Sequence, residues 1–243
     1  MIIDTHCHID LYENPKKLLT ECEQEGIIVF AMTNLPSHFE MGQPFFLHMK
    51  NIRLSLGLHP LYAERHKFEY PIFLRNLDKT SYIGEIGLDF SREGISTKEL
   101  QYNTLDKVLK AISSKNKILS IHSRKAEKEV LELLLKYKIK NAIFHWYSGS
   151  ISLMYKILDA GYYFSVNPSM ISSLTGQSII SRIPMNRLLT ESDGPFIQIE
   201  NRVIHPIDIA KVIKYISNTR NKAISEVEYQ IRLNFNELIK KIL

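Results

Sequence analysis

The sequence predicts a single α/β domain over residues 1–243, folded as a (β/α)8 TIM barrel. Three observations predict it. Short apolar runs rich in Ile, Leu, Val and Tyr alternate with longer segments of helical period, as parallel sheets require. Several runs are apolar on successive residues, the pattern of strands covered on both faces. His, Glu and Asp residues recur directly after these runs, where the active sites of barrels lie.

The expected strands are Ile2–Asp4, Ile27–Thr33, Arg53–Gly57, Tyr82–Glu85, Ile118–Ile121, Ala142–Phe144, Tyr162–Val166 and Leu188–Thr190. Between them, Ser96-Thr97-Lys98-Glu99 reads as a capping box with Ser96 as the cap. Leu105, Val108, Leu109 and Ile112 then repeat at helical spacing, as do Val130, Leu131, Leu134 and Leu135. From Ser225 the pattern returns through Val227, Ile231, Phe235, Leu238 and Ile242. Such alternation fits a closed barrel or an open doubly wound sheet. No Gly-rich phosphate loop follows the first strand, which weakens the open, nucleotide-binding sheet.

The bulk numbers agree. A length of 243 residues suits one barrel. A hydrophobic content of 44% supplies a packed core and excludes a disordered chain. No apolar run approaches the roughly 20 residues that span a bilayer. Met1-Ile2-Ile3-Asp4 has no basic n-region followed by a long apolar h-region, so no secretory signal is expected, and Cys7 with Cys22 suggests no disulfide framework. A cytoplasmic location is expected. The net charge of +5 suits polyanionic partners, but no basic block forms a nucleic-acid arm.

Six stretches carry chemistry. In Asp4-Thr5-His6-Cys7-His8, residues two apart on extended backbone point the same way, so His6 and His8 can reach one cation. Alone, the pair is a weak signal and reads more readily as a turn with two partly exposed histidines. Gly57-Leu58-His59-Pro60 aims His59 into a barrel mouth, with Pro60 ending the strand. Glu85, between Gly84 and Gly87, would be costly to bury unpaired, and its two oxygens suit a bridging ligand. Asp89 is placed to tether a neighbouring His or to cap a turn. His122 and His145 each follow an apolar run. Arg124 offers a guanidinium fork to phosphate, or forms a surface ion pair. In Glu191-Ser192-Asp193-Gly194-Pro195, Asp193 completes the ring as a ligand and proton acceptor, with Glu191 beside it. Core histidines scattered at random would not keep one phase relative to the strands. Convergence at one barrel face is the stronger reading.

With these residues in place, the sequence resembles the TatD family of metal-dependent deoxyribonucleases, within the amidohydrolase-like barrels. The matching stretches are DTHCHID, GLHP, IGEIGLD, IHSR, HWYSG and LLTESDGPF, with Asn234-Phe235-Asn236-Glu237-Leu238 similar to the closing helix. The chain departs from the family at His145-Trp146-Tyr147-Ser148-Gly149, at Val166-Asn167-Pro168-Ser169 and after Pro195. The resemblance implies two divalent metal ions (Mg2+, Mn2+ or Zn2+). One is bound by His6, His8, Glu85 and Asp193, the other by Glu85, His122 and His145. It implies His59 beside the site, against substrate or leaving group. It implies cleavage of DNA, single-stranded and from the 3′ end, as a 3′-5′ exonuclease.

The expected reaction is two-metal phosphodiester hydrolysis with Asp193, Glu85 and His59 catalytic, and with Arg124 and His59 on the phosphate. Trp146, Tyr147 or Phe90 would stack on a base. The expected partner is DNA, with no membrane. Protein partners would belong to a multi-gene repair or defence system. Two rivals stand beside this. One is an ester or amide hydrolase such as an aminoacyl-tRNA deacylase, although Glu85 stands where many amidohydrolases carry a bridging Lys. The other is a metal-stabilised scaffold subunit without activity.

Overall fold

Parallel strands close into a barrel in the computed structural model, which describes residues 1–199 and 201–242; Glu200 and Leu243 lie outside the described residues. The barrel strands are β1 (Ile3–Cys7), β2 (Ile28–Ala31), β3 (Ile52–Leu54), β4 (Leu56–Leu58), β5 (Tyr82–Gly87), β6 (Ile118–His122), β7 (Ala142–His145), β8 (Tyr163–Val166) and β9 (Leu188–Thr190). Each pairs in parallel with its successor, except at two seams. The first seam lies between β3 and β4, two halves of the single strand predicted over Arg53–Gly57. There the Thr33 hydroxyl donates to Ser55 O (2.9 Å) and accepts from Gly57 N (3.1 Å). A side chain inserted in this way interrupts the regular ladder.

The second seam joins β9 to β1. Thr190 Oγ1 donates to Ile3 O at 2.6 Å and Thr5 Oγ1 donates to Thr190 O at 3.0 Å. Past the strands, Asp193 N donates to His6 O at 2.9 Å. Side-chain hydroxyls thus complete the closure and satisfy carbonyls that burial would otherwise leave unpaired.

Helices cover the outside: α1 (Pro15–Gln24), α2 (Pro36–Phe46), α3 (His66–Asn76), α4 (Lys98–Ile112), α5 (Glu127–Lys136), α6 (Ile151–Asp159), α7 (Pro168–Ile171), α8 (Leu174–Ile180), α9 (Ile209–Arg220) and α10 (Ile224–Lys240). A short hairpin, β10 (Gln198–Ile199) with β11 (Arg202–Val203), follows the last barrel strand. Leu105, Val108, Leu109 and Ile112 form the buried face of α4 as expected. On α5 the buried set is Val130, Leu131, Leu133 and Leu134, while Leu135 is exposed. The stripe is rotated by one residue from the one read in the sequence, because a run of three leucines leaves its phase open. The capping box at Ser96 is absent. Ile95–Thr97 forms a 3-10 turn, Thr97 occupies the cap without a side-chain cap bond, and its hydroxyl donates to Gly94 O at 3.1 Å.

The closing helix α10 buries Val227, Ile231, Phe235 and Leu238. Asn234 donates from Nδ2 to Met185 O at 2.7 Å and Leu188 O at 2.8 Å, which ties α10 to the start of β9. That bond gives the Asn-Phe-Asn stretch its structural purpose. Among the described residues no helix is long and apolar enough to cross a membrane.

Candidate metal centre

β1 runs further than the sequence suggested, through His6 to Cys7. Its extended backbone sends His6 and His8 the same way, and their Nε2 atoms lie 3.1 Å apart. Both rings are fully buried. Cys7 points to the opposite side, against Tyr12 and Gly194. Asp4, also buried, accepts from His6 N (3.1 Å) and Ser192 N (3.0 Å) through one oxygen, fastening the first motif to the last. Burial pushes its pKa up to about 7.

Glu85 sits inside β5, not at its end, because β5 continues to Gly87. Two close approaches put it there. Gly57 lies so near the Thr33 carbonyl that a Cβ would stand 1.6 Å from it, and that carbonyl accepts from Glu85 N at 3.2 Å. Gly87, at φ +149°, leaves a Cβ no room against His122 O. The side chain that results is buried. Its Oε1 is 2.7 Å from His122 Nδ1 and 2.7 Å from His145 Nε2. Its Oε2 is 3.1 Å from His8 Nε2, 3.3 Å from His59 Nε2 and 3.5 Å from His6 Nε2. One carboxylate therefore faces two sets of imidazoles.

Asp193, after β9, brings Oδ1 to 3.6 Å from His6 Nε2. Three overlapping groups have donor atoms within 4.8 Å of one another: His6, His8 and Asp193; His6, Glu85 and His145; His59, Glu85 and His122. His59, which the resemblance set beside the site, lies within one of these groups.

The surroundings decide protonation. His122 directs Nε2 to Asp89 Oδ2 at 2.8 Å, and a proton held there leaves the Nδ1 lone pair facing Glu85. His6 directs Nδ1 to Ser120 Oγ at 2.7 Å. Burial, then the neighbouring His145, hold its pKa well below the ordinary value, so its ring stays neutral. Burial opposes the charged form of Glu85, but His59, His145 and His6 outweigh it and keep the carboxyl well below the usual range. Burial raises Asp193 well above its usual range. For His145 burial works against charge, and the carboxylates of Glu85 and Glu191 more than offset it.

These donors fit divalent cations. Two imidazole nitrogens 3.1 Å apart, both within 3.6 Å of buried carboxylate oxygens, form an electron-rich concavity that a cation satisfies better than shared protons do. Mixed imidazole and carboxylate donors suit Zn, Mn and Fe, while carboxylates also serve Mg.

Glu191 stands behind His145. It is fully buried and accepts from Trp146 N (2.9 Å), Asn167 Nδ2 (2.9 Å) and Ser165 Oγ. Its oxygen lies 3.9 Å from His145 Nδ1, too far for a direct bond. The backbone bond holds Trp146 in the left-handed region, at φ 37°.

The mouth is a cavity of about 490 Å³ whose walls include His59, Asp89, Glu93, Arg124, Trp146 and Phe196. Arg124 is half exposed and pairs with Glu93 at 3.2 Å, so the surface ion pair expected as one alternative exists on the cavity wall. Of the expected stacking aromatics, Trp146 lines the cavity. Tyr147 is buried against Phe144 and Phe164, and Phe90 is buried beneath Lys98. Neither reaches the opening, because both pack beneath the loops. Sequence reading missed Phe196, which is exposed at the mouth. An aromatic residue directly after Gly194-Pro195 was the available signal. It also missed Ser120 and Ser165, whose signal was a polar residue inside an otherwise apolar strand.

Barrel and donor set together define a metal-dependent hydrolase. The TatD related DNase family matches residues 3–240, and the chain belongs to that family. Deoxyribonuclease TATDN3 of Homo sapiens is 25% identical, covering 99% of this chain and 95% of its own. An uncharacterized metal-dependent hydrolase of Methanocaldococcus jannaschii is 26% identical, covering 99% and 98%. Among solved structures, a TatD homolog from Escherichia coli superposes with a TM-score of 0.88 at 22% identity, over 98% of this chain and 97% of its own. That likeness is one of fold.

Proposed function

We infer that this hydrolase cleaves phosphodiester bonds of DNA, single-stranded and from the 3′ end, with two divalent cations. The carrying observation is Glu85. Its two oxygens address His122 and His145 on one side and His8, His59 and His6 on the other, which supports a carboxylate shared between two ions. Family membership and relatives named as deoxyribonucleases favour DNA.

When bound, such cations neutralise charge on a phosphate and lower the pKa of water towards neutrality. The protein's own residues do the rest. His6, His8, His59, His122 and His145 would turn ring nitrogens towards such cations. Asp193 orients the attacking water and takes its proton. Arg124, released from Glu93, meets the phosphate oxygens as a fork. His59 stands at the cavity wall and contacts the phosphate or leaving group. Trp146 and Phe196 offer flat faces to a base.

The test is hydrolysis of a 3′-labelled single-stranded oligonucleotide with Mn2+ by wild type and Glu85→Gln. Release of 3′ mononucleotides by wild type alone is expected. Equal activity in both overturns the mechanism, and turnover of an aminoacyl ester in place of DNA overturns the substrate.

A further inference from the structure

We propose that a nucleic-acid strand leaves the cavity over one side of the mouth, along a cationic rim formed by Arg92 and Lys125 with Arg124. This rests on the nuclease reading and adds to it where the strand outside the active site lies.

The loops after β5 and β6 are joined beyond the strands themselves. Leu88 N donates to His122 O at 3.0 Å and Phe90 N to Arg124 O at 2.9 Å. This pairing carries Arg92 and Lys125 out beside each other's loop, next in sequence to the cavity-lining Glu93 and Arg124. Arg92 and Lys125 are both exposed, and among the described residues their side chains make no hydrogen bond or ion pair; only the Lys125 backbone amide is engaged, by the Glu127 carboxyl. The loop after β1, by contrast, exposes Asp10 and Glu13. On the Arg92 side three cations, Arg92, Arg124 and Lys125, stand against one exposed carboxylate, Glu93, and this excess of positive charge steers a polyanion there.

Lys125 carries the argument further. It is the third residue of the turn closed by Ala126 N donating to Ser123 O at 3.0 Å, and its φ is 57°. That position favours glycine. A lysine there accepts backbone strain, and its side chain returns no hydrogen bond or ion pair among the described residues. A use outside the fold accounts for it, and phosphates beyond the one in the cavity are the complementary chemistry.

The test is binding of a fluorescent 12-nucleotide single strand in EDTA, read by anisotropy across a salt series, for wild type, Arg92→Ala, Lys125→Gly and the double variant. Each substitution is expected to weaken binding severalfold and to lower the salt slope by about 0.7. Hydrolysis of a small phosphodiester, bis(p-nitrophenyl) phosphate, with Mn2+ should stay unchanged. The Tm of Lys125→Gly should not fall, because glycine relieves the turn. Oligonucleotide binding equal to wild type in the double variant overturns the rim. Equal loss on the small diester overturns it too, by revealing a structural role. If wild type binds the strand but cleaves no diester, the rim is still measured directly while the hydrolytic reading fails.

Discussion

Glu85 Oε1 and His145 Nε2 lie 2.7 Å apart at the centre of the barrel, although 60 positions separate them in the chain. The other carboxylate oxygen faces His8 Nε2 at 3.1 Å. Replacing Glu85 with Gln removes the charge and half of the bridging capacity while keeping the volume. Activity should fall by about 10³-fold or more. If the proposed pair of cations is right, bound metal, measured by elemental analysis after dialysis, should drop below two equivalents. Retention of two equivalents would place the ions elsewhere.

Asp89 Oδ2 lies 2.8 Å from His122 Nε2, placed to keep a proton there when Nδ1 takes a cation. With Asn in its place, the ring loses the anionic partner that holds the proton away from Glu85. Metal affinity should weaken by about 10- to 100-fold, the usual effect of losing such a partner. Titration with Mn2+, followed by calorimetry, checks this.

Gly57→Ala would drive a methyl group into the Thr33 carbonyl that holds Glu85 N. Overpacking of this kind costs about 1–3 kcal/mol or more. Both the Tm and the metal content should fall, since the same carbonyl supports fold and ligand.

The seam hydroxyl of Thr190, 2.6 Å from Ile3 O, is nearly isosteric with a methyl group. Thr190→Val leaves a buried carbonyl short of a donor. The cost should be about 1–3 kcal/mol, read as a lowered Tm by calorimetry.

The Arg202 guanidinium grips Asp208 through Oδ1 (2.5 Å) and Oδ2 (2.8 Å), anchoring the hairpin after β9. Partial burial alone would raise the Asp208 pKa, but Arg202 and the His205 amide outweigh it and hold the carboxyl below its ordinary value. A depressed folded pKa means that this stabilisation is present above the ordinary carboxylate pKa. It is lost as pH falls through the lower, folded value. The Tm gap between wild type and Asp208→Asn should therefore be open at neutral pH and close in acid. A gap independent of pH would show that charge plays no part.

Much of this was legible in the chain. The core of every barrel strand was found, because buried parallel strands are apolar on successive residues and such runs stand out; the polar β10–β11 hairpin was not. The residues now gathered at the mouth were visible because His6, His59, His122, His145 and Asp193 each follow or end an apolar run. Strand ends were less visible. β5 continues through Ile86 and Gly87, which read as a loop because glycine is rare in strands. The helical face of α5 was shifted by one residue at Leu133–Leu135, where periodicity has no contrast.

Local pattern alone determined the parallel α/β class, the order of its elements and the set of polar side chains that follow its strands. It did so because periodicity and strand phase are properties of neighbouring residues. Which oxygen of Glu85 meets which imidazole, the placing of His59 among the donors and the exposure of Phe196 were decided only by closure. Those distances depend on the Thr33 insertion at one seam and the Thr190 hydroxyl at the other, contacts between residues far apart in sequence whose geometry no local pattern encodes.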